Sequence, residues 1–123
     1  MALTGVAAAQ AKSIAKPQAV AEQKNAGAAQ AGKKLYEHVG CYECHGHEGQ
    51  GGAAGKRIAP RPIPYTDFAS YCRRPTAEMP PYSTKILSDA DLTTIYSYLQ
   101  SLPDPPSAKS ISILNEAARK AGR

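Results

Sequence analysis

An all-α fold is predicted by three observations: an apolar helical pattern over Ala28–Val39, a second one opened by a capping serine at Ser88, and a glycine- and proline-rich stretch between them in which little reads as strand. Long extended loops are expected to join the helices. The 123 residues suffice for one domain. Its central part is of a size at which burial alone gives only marginal stability. With no Trp, a single Phe (Phe68) and 7% aromatic residues, a core made only of side chains would be thin.

Residues 1–27 form an alanine-rich lead without a sustained apolar face, which reads as a flexible arm. Its helix-forming composition leaves open an ordered arm on a partner subunit. Met1–Ala11 is small and apolar and ends in Ala9-Gln10-Ala11, like a signal-peptidase site, although no Lys or Arg precedes it. It reads as a signal remnant or a processed start.

The folded domain is expected over residues 28–105. Ala28, Ala31, Leu35 and Val39 lie near one helical face, with Lys33, Lys34 and Glu37 on the other, and Gly40 ends the helix. Gly46–Gly55, with five glycines, is loop, and Lys56–Tyr65, with Pro60, Pro62 and Pro64, is extended and rigid. Tyr65–Cys72 suits a short helix capped by Thr66 or Asp67. Met79-Pro80-Pro81-Tyr82 is another loop. Ser88 then caps a helix whose first turn carries Asp89 and Asp91, where the helix dipole favours negative charge. Leu92, Ile95, Tyr96 and Leu99 make its apolar stripe, and Pro103, Pro105 and Pro106 stop it beyond Leu102. Residues 106–123 are a basic tail with a marginal helix near Ile113–Lys120.

From Gly32 to Pro105 eight basic residues balance eight acidic ones, so the net charge of +5 sits in the two ends of the chain. The excess is modest and no aromatic residues interleave with it, which argues against nucleic acid as a partner. No apolar run approaches the roughly twenty residues that a membrane-spanning helix needs.

The chemistry is concentrated in Cys41-Tyr42-Glu43-Cys44-His45. Two thiols on one helical turn can each form a thioether to a haem vinyl group, and the next residue then stands below the iron as an imidazole ligand. A zinc half-site competes with this reading, but zinc wants four ligands. The isolated Cys72 is the remaining cysteine, and no histidine follows it. A thioredoxin-like dithiol belongs at a helix start after a strand; here a helical pattern precedes the motif, and His45 would have no role. A large flat porphyrin would also supply the missing core.

Opposite His45, a thioether ligand could come from Met1, which sits on a tail, or from Met79, on a rigid proline loop 34 residues after His45. Met79 is the expected ligand, although a lone methionine is usually core filler.

These features resemble the class I cytochromes c, over roughly Ala31–Pro103. Gly32-Lys33-Lys34-Leu35-Tyr36 before the haem motif is similar to that family's N-terminal helix, in which a small and an aromatic residue pack on the C-terminal helix. The partners implied here are Ile95, Tyr98 and Leu99. Met79-Pro80-Pro81-Tyr82, followed by a capped helix ending in Tyr98-Leu99-Gln100-Ser101-Leu102-Pro103, resembles bacterial members that serve periplasmic dehydrogenases. The resemblance implies a class I cytochrome c fold: N- and C-terminal helices packed around one covalent haem c, held by Cys41 and Cys44 with His45 and Met79 as axial ligands. It also implies a proline-loop carbonyl accepting from the axial histidine, for which Pro60 and then Pro62 are the candidates. Arg57, Arg61, Arg73 and Arg74 are candidates for the haem propionates. Tyr65 and Tyr82 are possible pocket residues.

Filled axial positions favour electron transfer over catalysis. The expected function is a mono-haem carrier, not an enzyme. It would take electrons from a periplasmic dehydrogenase and pass them to an oxidase or another cytochrome, free or in a stable complex through its tails. A peroxidase or gas-binding protein with a displaceable Met79 is the alternative, and a structural module stapled by haem is a third reading. Export to the periplasm is implied by the resemblance. Cys72, without an intrachain partner, is expected to be a buried small hydrophobe, and His38 and His47 are expected to face solvent.

Overall fold

A computed structural model describes residues 17–122, with side chains from Ala26 onwards. The signal-like stretch Met1–Ala11, and Met1 as a rival ligand, lie outside the described residues. The chain forms α1 (Pro17–His38), the single turn α2 (Cys41–His45), α3 (Tyr65–Arg73), α4 (Asp89–Ser101) and α5 (Ser112–Ala121), with a 3-10 turn at Ala108–Ser110 before α5. No strand occurs among the described residues.

Helix α1 begins eleven positions ahead of Ala28, where the apolar pattern starts, and so takes in residues read as flexible arm. Alanine, glutamine, lysine and glutamate there all favour helix, a propensity that needs no apolar period. The buried side of α1 also differs from the predicted one. Ala28 and Ala31 are exposed, whereas Gly32 and Tyr36 are buried and Leu35 and Val39 half-buried. Apolarity alone overlooks a contact made by a glycine.

That contact sets the fold. Helices α1 and α4 cross at Gly32, where an added Cβ would stand 2.6 Å from the Cβ of Tyr98 and would meet the Thr94 carbonyl. Beside it the rings of Tyr36 and Tyr98 pack at 5.6 Å, as the resemblance implied. Helix α4 is capped as expected, with the Ser88 Oγ accepting from the Asp91 N–H at 3.1 Å. It buries Leu92, Ile95, Tyr98 and Leu99. Each such aliphatic burial is worth about 2 kcal/mol. Tyr98, not Tyr96, therefore completes the buried stripe. Tyr96 is half-buried and turns to α3, where it meets Tyr65 at 5.2 Å and Phe68 at 5.3 Å between ring centroids.

Helix α3 has Pro64 at its N-cap, not Thr66 or Asp67, which fall inside the first turn. The Pro64 carbonyl accepts from the amides of Asp67 and Phe68, at 3.0 and 2.9 Å. The loop from Gly46 to Pro64 is irregular and is tied to the helix pair by two core tyrosines. Tyr36 donates to the Gly46 carbonyl at 2.7 Å and Tyr98 to the His47 carbonyl at 3.0 Å. Among the described residues, helix α5 touches no helix but its own 3-10 turn, and it leaves Ile113 70% and Leu114 47% exposed.

Candidate haem site

Gly40, with a left-handed φ of 81°, turns the chain sharply out of α1 into α2. The turn presents the two thiols differently: Cys41 is half-buried and Cys44 exposed, and both are free. Burial first, and then the neighbouring Cys72, push the Cys41 thiol up to about 12. Cys41 joins Tyr42, Met79 and Tyr82 among the half-buried side chains packed against the core.

His45 is half-buried, and its Nδ1 lies 2.8 Å from the Lys56 carbonyl. A carbonyl only accepts, so Nδ1 carries the hydrogen and Nε2 keeps its lone pair for a metal. Such a bond fixes a ligating imidazole's orientation and raises its basicity. The acceptor is thus Lys56 and neither Pro60 nor Pro62. Every residue offers the same carbonyl, so no sequence signal could have singled it out. Gly55 makes the approach possible: a Cβ there would stand 2.7 Å from the Cys44 carbonyl oxygen and 3.0 Å from His45 Nδ1. Two free thiols, an imidazole anchored through Nδ1 and a cradle that admits only glycine fit a covalent haem c.

Met79 is half-buried on a loop that is pinned at Tyr82. The Tyr82 amide donates to the Cys72 carbonyl at 2.9 Å and its hydroxyl donates to the Val39 carbonyl at 3.1 Å. Burial raises the Tyr82 hydroxyl to about 12, with the nearby thiols adding to it. Tyr82 thus stands against the end of α1, next to the attachment turn.

The remaining candidates separate into two groups. Arg57, Pro60 and Arg61 line an open groove of about 600 Å³ with Ala59, Asp104 and Pro105, and none of the motif residues lines it. Arg61 there holds both carboxylate oxygens of Asp104 at 2.7 Å, while Arg57 reaches the Gln50 carbonyl at 3.3 Å. Tyr65 is engaged with α4, 2.7 Å from Thr93 Oγ1. Arg74 is exposed at the end of α3, whereas Arg73 is turned inward, with three of its five N–H groups donating to the Tyr82 and Leu87 carbonyls and to Asp89. Cys72 is buried at 6% exposure, as expected of a small hydrophobe, and burial lifts its thiol to about 11 against the opposing pull of Arg73. His38 and His47 are exposed, and His47 stacks on Tyr42 at 4.9 Å.

No curated protein and no solved structure matches the chain. The family model described as cytochrome c oxidase, cbb3-type, subunit III, matches residues 27–99. That span takes in α1 from Gly27 onwards, the thiol and imidazole turn, the Gly55 cradle, the Met79 loop and α4 as far as Leu99. The chain belongs to this family of c-type cytochrome domains, all-α electron-transfer proteins that carry a covalent haem c.

Proposed function

We propose that the protein is a mono-haem electron carrier of the periplasm, in which Cys41 and Cys44 make the thioethers and His45 and Met79 take the two axial positions. The observation that carries the reading is the His45 Nδ1 bond to the Lys56 carbonyl, which readies Nε2 as a ligand. The half-buried Met79, on a loop held at both sides of Tyr82, supports the second ligand. When bound, the haem supplies a one-electron Fe(III)/Fe(II) couple, and a histidine and methionine pair favours a high potential with no open position for a substrate.

The donor we propose is a periplasmic dehydrogenase, and the acceptor an oxidase or another cytochrome; the oxidase-subunit name of the matching family supports a respiratory setting. No helix among the described residues is long and apolar enough to cross a membrane. Charges balance within the domain, so its docking should depend weakly on salt. The basic tail, which ends in the exposed α5, supports a stable complex with an acidic partner.

The ferric protein should show the weak red-edge absorption of an iron–methionine bond and should bind exogenous ligands slowly. Met79→Ala should abolish that absorption and lower the reduction potential. Rapid ligand binding by the unmodified ferric protein at neutral pH would instead favour a haem enzyme or gas sensor. An unchanged potential in Met79→Ala would exclude Met79 as the ligand.

A further inference from the structure

We infer that Arg73 is a positioning residue for Met79: its guanidinium locks the loop that carries the methionine, and so holds the sixth position closed. The inference rests on the reading of Met79 as the axial ligand.

Arg73 occupies the last turn of α3, so its backbone is fixed, and its side chain is only 18% exposed. Nη1 donates to the carbonyls of Tyr82 at 2.9 Å and Leu87 at 2.8 Å, and Nη2 donates to Asp89 Oδ1 at 2.5 Å. One side chain thus joins α3, the far end of the Met79 loop and the start of α4. The Tyr82 amide closes the same segment from the other side through the Cys72 carbonyl. Met79 therefore lies in a loop whose ends, Cys72 and Tyr82, are tied by a backbone bond and a charged fork. Only arginine supplies donors in a planar fork able to reach three acceptors together; lysine offers a point charge on a flexible stem.

The functional consequence follows from population arithmetic. A thioether is a neutral, weak ligand, and an added ligand can reach its position only when the Met79 loop swings away. The apparent affinity for that added ligand is the intrinsic affinity scaled by the open fraction of the loop. Loosening the clamp raises the open fraction and the apparent affinity by the same factor. Loss of hydrogen bonds from a charged donor to part-buried carbonyls corresponds to a change of about tenfold.

The test is imidazole titration of the ferric holoprotein, followed through the red-edge absorption, together with hydrogen exchange at the Tyr82 amide. Arg73→Gln should bind imidazole about tenfold more tightly and exchange the Tyr82 amide faster by a similar factor, with Arg73→Lys in between. Gly32→Ala, which destabilises the fold at the α1–α4 crossing and touches none of the groups that Arg73 holds, should leave imidazole affinity within about twofold. Equal affinities in Arg73→Gln and the unmodified protein would overturn the clamp, as would an equal rise in Gly32→Ala. If Arg73→Gln does not accumulate, Arg73→Lys and its Tyr82 exchange decide the matter alone. Failure of the Met79 reading shows separately, as absence of the red-edge absorption in the unmodified protein.

Discussion

Gly32 and Tyr98 meet with no room for a side chain between them, and this contact brings α1 and α4 together closely enough to bury Tyr36 completely. Alanine in place of a mid-helix glycine would ordinarily gain about 1 kcal/mol. Here the new methyl would meet the Thr94 carbonyl and the Cβ of Tyr98, both fixed by α4. Overpacking of this kind costs about 1–3 kcal/mol, so Gly32→Ala should lower the denaturant midpoint despite the better helix propensity. A midpoint equal to or above that of the unmodified protein would contradict the close crossing.

Gly55 should govern haem incorporation, because a Cβ there would press on both the Cys44 carbonyl and His45 Nδ1. Gly55→Ala should break the bond to Lys56 and lower the haem held per chain several-fold, in keeping with the roughly 10–100-fold effects of lost ligand-orienting contacts. Gly52→Ala is the control, since its Cβ would meet the Cys44 carbonyl at an ordinary 3.5 Å. Haem-to-protein absorbance ratios in the two variants check the prediction.

Cys72 should make the fold sensitive to alkali. Its thiol rises from 9.0 to about 11 on folding, mainly through burial, so the folded state favours the protonated form. Its contribution is complete below the unfolded pKa and is lost as pH climbs through the folded one, by about 2–3 kcal/mol in all. Urea unfolding between about pH 8 and pH 11 should show that loss in the unmodified protein and a smaller one in Cys72→Ala. Cys72→Ala should also keep its covalent haem; losing it would count against attachment through Cys41 and Cys44.

Removal of residues 106–123 should leave the haem domain intact. Among the described residues, helix α5 packs on no helix but its own 3-10 turn, and its large apolar residues Ile113 and Leu114 stay exposed. Stability should change by no more than about 0.5 kcal/mol, as for surface changes away from the core. An unchanged thermal midpoint and reduction potential check this; a large fall in either would place the tail against the domain.

How much of the site was legible depends on whether its chemistry is local. Ser88 with Asp89 and Asp91 announced the start of α4, because a cap is an interaction between residues three apart. The apolar period put Tyr96 in the buried stripe, and Tyr98 was named only through the family resemblance, since two tyrosines on one helix are told apart only by what faces each. Arg73 and Arg61 read alike as candidates for the haem propionates, yet one is enclosed by two carbonyls and Asp89 and the other pairs with Asp104 in solvent. Charge and residue type are the same in both; the difference is the backbone folded around them.

By itself the sequence determined that this is a c-type haem protein with a helical frame, because attachment needs only two thiols and an imidazole at fixed spacing, and helices need only a cap and a period. Tertiary structure alone decided which carbonyl orients His45 and which arginine grips the Met79 loop. These are contacts between different segments of the chain. Several of them run through backbone atoms that every residue shares, so they come into being only when the chain has closed on itself.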